Sequence, residues 1–304
     1  MIQQIQQSIL QMKEEKNIFL LAHSYQNKDI TEIADFVGDS FQMSLAAQQA
    51  DADTILVAGV RFMAETAKIL APNKTVILVT PDAGCPMAEQ IEPSMIEAIK
   101  AQHPEYKVVA YINTTAALKA VCDVCVTSST AVKIVKALEE TEILFIPDCN
   151  LGAYVQKQVP EKNLKLLQGC CPIHASVDMM EVETALDKHP KAQLLVHPEC
   201  TPEVLQYADY IGSTSGILEY AKQSSHKEFV IGTEISIAEH LQYACPDKKF
   251  YLLSKKLICP NMKLTTLMDV YNVTRGEGGE EIILTPEEIA KARICIDEMI
   301  RLGK

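Results

Sequence analysis

Tryptophan is absent from this chain of 304 residues, and aromatic residues make up only 6% of it. Basic runs are also missing: none exceeds a dipeptide such as Lys248-Lys249, and the net charge is −12. That balance excludes a non-specific nucleic-acid or anionic-membrane surface, which needs clustered positive charge. An anionic ligand would have to be met by local dipoles, because the overall field repels it. No apolar run approaches the ~18 residues of a membrane span. The opening "MIQQIQQSILQMKEEKN" has an amphipathic helical pattern and lacks the basic start and apolar centre of a secretory signal. A cytoplasmic location is therefore expected. Only one Cys-x-x-Cys occurs, at Cys122 and Cys125, so no second pair completes a four-thiolate zinc site. No low-complexity linker divides the chain.

What is present is a core-forming composition, 48% apolar, in which short apolar strands alternate with helix-like stretches. This is the α/β pattern. The ten cysteines, in a reducing compartment, are not expected to form a disulfide framework.

The order is periodic. "FLLAHSY" (Phe19–Tyr25), "KVVAYIN" (Lys107–Asn113) and "QLLVHPE" (Gln193–Glu199) are apolar strands ending in polar residues. His23 falls in phase with Tyr111 and His197, and Tyr25 with Asn113 and Glu199. A hydroxyl-bearing helix start follows in each case: "GDS" with Ser40, "TSST" with Ser128 and "GSTSG" with Ser213. Second strands follow ("TILVAG", "EILFIP", "EFVIG"), then third strands ("TVILVT", "LKLLQG", "KFYLLS"). After each third strand comes a cysteine, Cys85, Cys171 or Cys259. The spacing predicts three β-α-β-α-β repeats of about 87 residues, each a small parallel sheet covered by helices. The fold class is α/β, three similar αβα sandwich domains with pseudo-threefold symmetry around a central active site. The expected divisions are an N-terminal helix at 1–17, repeats at 18–102, 103–188 and 189–274, and a C-terminal helical segment at 275–304. Ligands of open parallel sheets sit beyond the carboxyl ends of the strands, where the three sets of landmarks fall.

Each landmark has a chemistry. Three thiolates, one per repeat, would hold three corners of a [4Fe–4S] cluster and leave one iron open as a Lewis acid. Residues i and i+2 of a strand share a face, so His23/Tyr25, Tyr111/Asn113 and His197/Glu199 form three equivalent pairs able to act in acid–base catalysis. Helix starts offer unpaired N–H groups and a positive dipole end, which suits carboxylate or phosphate. By contrast "AVCDVCVTS" is a β-branched run with no Gly or Pro to form a knuckle. Residues i and i+3 of a strand diverge, so Cys122 and Cys125 are expected to be structural. Cys149, Cys245 and Cys295 have no partner pattern, and Cys170 and Cys200 lie close to residues of interest.

The chain resembles the quinolinate synthase family over nearly its whole length. The resemblance rests on "LAHSYQ", "IADFVGDS", "FMAETAKIL", "YINTTA", "VTSS", "GCCPIH", "HPEC", "GSTSG" and "CPNMK". It implies three αβα domains around a pseudo-threefold axis and a [4Fe–4S] cluster on Cys85, Cys171 and Cys259. It implies a transferase that condenses iminoaspartate with dihydroxyacetone phosphate to quinolinate, phosphate and two waters, in NAD biosynthesis. By motif, the implied substrate-binding residues are His23, Ser40, Tyr111, Asn113, Ser128, His197, Glu199, Ser213 and Thr214. Tyr25, Glu199, His23, His197 and His174 are the implied catalytic groups. A functional link to an iminoaspartate-producing enzyme is expected, and neither nucleic acid nor membrane as a partner. Two other classes stay open at this point: a different iron–sulfur hydro-lyase acting on a small polycarboxylate, and a non-enzymatic iron or oxygen sensor.

Overall fold

Runs such as "LLAH", "VVAY" and "LLV" are buried on both faces and rich in branched residues, so they form the inner strands of parallel sheets. The computed structural model describes residues 1–303. Its parallel strands are β1 (Ile18–His23), β2 (Phe36–Gly38), β3 (Thr54–Ala58), β4 (Thr75–Leu78), β5 (Lys107–Tyr111), β6 (Val124–Val126), β7 (Glu142–Ile146), β8 (Asn163–Leu166), β9 (Gln193–Val196), β10 (Tyr210–Ile211), β11 (Glu228–Gly232) and β12 (Lys249–Leu252). They make three sheets, ordered β4-β3-β1-β2, β8-β7-β5-β6 and β12-β11-β9-β10. Within each sheet the order is the same. A two-residue strand, Glu280–Glu281, adds antiparallel to the β4 edge of the first. The fold is therefore α/β with three small sheets, as expected.

Each repeat was expected to hold three strands, and each holds four. The extra strands, β2, β6 and β10, are two or three residues long, too short to show an alternating pattern. Side chains reinforce them. Asp35, Asp123 and Asp209 each accept the backbone N–H of a residue in the neighbouring strand, Leu20, Val108 and Leu194, all at 2.7 Å. The N–H of each aspartate in turn donates to the carbonyl of that residue. A second device recurs with the same phase. Lys74, Lys162 and Lys248 donate to carbonyls at the ends of the helices Ser40–Gln49, Ala131–Ala137 and Thr214–Gln223. Cations at helix C-termini satisfy orphan carbonyls and oppose the negative pole.

The chain packs as two units. The first comprises Met1–Pro93, Ile112–Cys122 and Pro260–Ile296. There the helix Ile2–Glu15 lies against Leu267–Arg275, over a core that includes Ile9, Leu20, Leu56 and Val270. Thr266 caps Leu267–Arg275 at its start, and Gly276, at φ +98°, ends it in the left-handed conformation that glycine adopts without cost. The second unit comprises Ser94–Tyr111, Asp123–Cys259 and residues 297–303. It carries the sheets that begin at β5 and β9. Leu194, Val196 and Val230 are fully buried there, each side chain contributing about 1.5–3 kcal/mol of transfer free energy. Among the described residues no helix is long and apolar enough to cross a membrane.

Candidate active site

In the second unit the chain turns sharply after β9. Beyond Val196, the Glu199 N–H donates to Nδ1 of His197 at 3.3 Å, and Asn150 Nδ2 donates to the Glu199 carbonyl. The turn directs the Glu199 carboxylate into the protein, where only 4% of the residue is exposed. His174 Nδ1 lies 2.7 Å from Glu199 Oε2 and donates to it, and the Tyr111 hydroxyl donates to the same carboxylate. His174 Nε2 is 3.0 Å from Thr233 Oγ1, and His174 Nδ1 is 3.3 Å from Cys171 Sγ. The rings of His174 and His197 stand 4.9 Å apart.

The electrostatics follow from burial and from these partners. Burial pushes the Glu199 carboxyl up, but His197, His174 and the Tyr111 hydroxyl outweigh it and hold the group at about 2. Burial lowers His197 to about 4, against the opposing pull of Glu199. Its Nδ1 accepts a backbone N–H, so the neutral ring carries its proton on Nε2. Asp148, completely buried, accepts the N–H groups of Leu151 at 2.7 Å and Cys171 at 2.9 Å. Burial, then the charge of Glu199, raises it to about 7. Of the two acids, Glu199 ionises far below neutrality, whereas Asp148 keeps its proton until the pH approaches about 7. Burial also raises the thiols of Cys149 and Cys170.

The hydroxyl-rich loops of this unit are locally satisfied. Ser213 Oγ accepts the Gly216 N–H at 3.1 Å as the cap of Thr214–Gln223, and both Ser213 and Thr214 are buried. Ser128 is half-buried in the turn ahead of Ala131–Ala137.

In the first unit β1 ends at His23, and the N–H of Tyr25 donates to Nδ1 of His23 at 3.1 Å. The two rings meet edge to face, 4.5 Å between centroids. The short helix Pro260–Lys263 holds this turn: Lys263 Nζ donates to the Tyr25 carbonyl at 2.6 Å, and Gln26 Nε2 to the Met262 carbonyl at 2.8 Å. Asn261 Nδ2 donates to the carbonyl of Gly84, next to Cys85. Past β5, Asn113 presents a buried Oδ1 with no hydrogen-bond partner among the described residues, an acceptor open to a ligand donor. The fully buried ammonium of Lys119 donates to the carbonyls on both sides of Asn113, those of Ile112 and Thr114.

The sequence matches the family of quinolinate synthetase A protein over residues 7–301. The chain belongs to that family. It is 49% identical over 302 residues to the quinolinate synthase of Caldicellulosiruptor saccharolyticus, with 99% of each chain covered. It is 48% identical over 294 residues to that of Alkaliphilus metalliredigens, with 97% of each covered. The quinolinate synthase of Methanoregula boonei is 46% identical over 299 residues, 98% of each chain.

For a quinolinate synthetase A family chain, the structure brings together Tyr111, His174, His197 and Glu199 in one buried network, with the partly exposed Cys171 beside His174. It separately brings together His23 and Tyr25. The expected reason for the pairing needs correction. The strands end at His23, Tyr111 and Val196, so the second member of each pair lies beyond the strand. The His23/Tyr25 and His197/Glu199 pairs are made by turns closed on a histidine nitrogen, not by a shared strand face. Ser40 begins its helix, but the cap is Asp39, which accepts the Gln42 N–H. The cysteines at the loops after β4, β8 and β12, namely Cys85, Cys171 and Cys259, are all partly exposed. Cys122 and Cys125 are buried, and Cys122 Sγ donates to the Leu118 carbonyl at 3.0 Å. Sequence reasoning missed Asp148, Thr233, Lys119 and Lys263. Only Asp148 left a signal, an acid directly behind a buried apolar strand in "ILFIPDCN".

Proposed function

We propose that the chain is a quinolinate synthase that condenses iminoaspartate with dihydroxyacetone phosphate, releasing phosphate and two waters. The observation that carries this reading is the buried carboxylate of Glu199, held by His174 and Tyr111, in a chain whose near-full-length relatives bear that name. The division into repeats at 18–102, 103–188 and 189–274, flanked by 1–17 and 275–304, is part of the same proposal, as are a cytoplasmic location and a place in NAD biosynthesis.

The thiols fit an iron–sulfur cluster. Cys85, Cys171 and Cys259 are partly exposed and form no disulfide among the described residues. Soft sulfur donors suit iron in such clusters. These three would hold a [4Fe–4S] group, which when bound supplies a Lewis-acidic iron for a substrate oxygen or nitrogen.

The remaining steps belong to the chain's own groups. Glu199, ionised, removes the proton from the carbon beside the imine that attacks the triose. His174, hydrogen-bonded to Glu199 and Thr233, keeps that carboxylate ionised and aimed. The Tyr111 hydroxyl holds the carboxylate in place. Tyr25 and His23 exchange protons during isomerisation, ring closure and dehydration, and neutral His197 donates from Nε2. The open acceptor of Asn113 takes a substrate N–H or O–H. Ser128, Ser213 and Thr214 hold carboxylate or phosphate, with Ser40 near the triose. A functional coupling to an enzyme that produces iminoaspartate follows from the instability of that imine in water.

Anaerobically reconstituted protein should form quinolinate from the two substrates, and air should abolish the cluster absorbance and turnover together. Full activity of colourless, metal-free protein would overturn the cluster assignment. A loaded protein that dehydrates a polycarboxylate but forms no quinolinate would overturn the reaction.

A further inference from the structure

Cys171 and His174 lie three residues apart, and the histidine opens the 3₁₀ turn His174–Ser176. The turn sets Nδ1 of His174 at 3.3 Å from Cys171 Sγ and at 2.7 Å from Glu199 Oε2. One donor atom from each of the three residues lies within 4.8 Å of the other two. Zinc bound tetrahedrally at ~2.0–2.3 Å to nitrogen, oxygen and sulfur spaces its donors by about 3.3–3.8 Å. The sulfur–nitrogen separation already matches, and the nitrogen–oxygen pair must open by about half an ångström once its shared proton leaves.

Independent features agree. The other nitrogen of His174 is 3.0 Å from the hydroxyl of Thr233, the outer hydrogen bond that orients a metal-bound imidazole. A thiolate and a carboxylate neutralise a dication, which removes much of the cost of burying either anion. His174 and Glu199 are buried, while Cys171 is partly exposed and opens a route for the ion.

We propose that the cluster-free chain binds one Zn²⁺ ion through Cys171 Sγ, His174 Nδ1 and Glu199 Oε2, with water in the fourth position. Binding releases the thiol proton of Cys171 to solvent, and His174 changes tautomer, losing the proton on Nδ1 and gaining one on Nε2, which then donates to Thr233. Zinc and the cluster then compete for Cys171, a consequence that rests on the proposed cluster; the zinc site itself does not.

The test uses the full chain, freed of metal and kept anaerobic. Co²⁺ should bind at one equivalent, giving the visible bands of a four-coordinate site and a sulfur-to-cobalt charge-transfer band, and Zn²⁺ should displace it. Cys171→Ser should remove the charge-transfer band. Thr233→Val should weaken binding by about 10–100-fold while leaving the band shape, as outer-shell changes do. Cys85→Ser and Cys259→Ser should leave the cobalt spectrum unchanged. Failure to bind Co²⁺, survival of the band in a folded Cys171→Ser variant, or its loss in Cys85→Ser or Cys259→Ser would overturn the site. In a second arm, one equivalent of Zn²⁺ added before iron and sulfide should block cluster loading, and a chelator should restore it. A cobalt site that forms while the zinc-free chain takes up no cluster would sink the cluster reading and leave the zinc site standing.

Discussion

The carboxyl of Asp148 receives the backbone N–H of Cys171 at 2.9 Å. A buried acid thus fixes the loop that carries a thiol, 23 residues further along the chain. The hydrogen bond persists when Asp148 is protonated, because the acceptor oxygen remains.

That protonation has a measurable pH signature. Asp148 is raised from 3.8 to about 7, so its protonated form favours the folded state. Its contribution is fully present below about pH 4 and is lost as pH rises towards 7. In the metal-free chain, the stability of wild type minus that of Asp148→Asn should be largest near pH 4 and decline towards neutrality. Urea unfolding at a series of pH values reads this, the mutual effect of Asp148 and Glu199 included, because the Glu199 charge is part of what raises Asp148. A flat difference would show Asp148 ionised throughout.

Proton transfer is probed by changes that keep shape. Glu199→Gln and Tyr25→Phe should each lower turnover by about 10²–10⁴-fold, the usual worth of a general acid or base. The cluster absorbance should be unaltered in Tyr25→Phe. Near-normal turnover in both variants would remove these residues from the acid–base set.

Lys119 is a stability prediction. Its ammonium is fully buried and donates to the carbonyls of Ile112 and Thr114. Lys119→Met keeps the volume but orphans both acceptors, at about 1–3 kcal/mol for each. Chemical denaturation should show the loss, and a change below about 0.5 kcal/mol would mean that water replaces the ammonium.

The single Cys-x-x-Cys separates two assignments of the thiols. Replacing Cys122 and Cys125 together by serine should cost about 1–3 kcal/mol for polar groups placed in a core. Iron content and turnover should stay normal. Replacing Cys85, Cys171 or Cys259 should abolish both. Loss of iron from a folded Cys122/Cys125 double variant would point to the wrong thiols.

How much of this was legible in the sequence depended on chain-local signals. The strands around His23, Tyr111 and His197 were readable because buried parallel strands leave continuous apolar runs. The repeat was readable because cysteines, serines and strand ends kept phase. The short strands β2, β6 and β10 were not, since two or three residues show no period. Asp123 sat unnoticed between Cys122 and Cys125, although it, and not either sulfur, performs the recurring task. The network around Glu199 was half legible: Tyr111 and His174 were named, but Thr233 and Asp148 reach the same place from other strands. Nothing in a linear pattern reports that convergence. Lys119 and Lys263 read as ordinary charged residues on helices until their carbonyl partners are seen.

The three aspartates have a consequence for how copies of this chain behave together. An unpaired amide beside a short edge strand invites a second molecule to add a strand there. Asp35, Asp123 and Asp209 occupy that amide on Leu20, Val108 and Leu194 with a charged group that an incoming strand would have to displace. These amides belong to the inner strands β1, β5 and β9, at the point that β2, β6 and β10 are too short to cover, so the same carboxylates that hold the small strands in place also close that one stretch of each sheet to a strand from another copy.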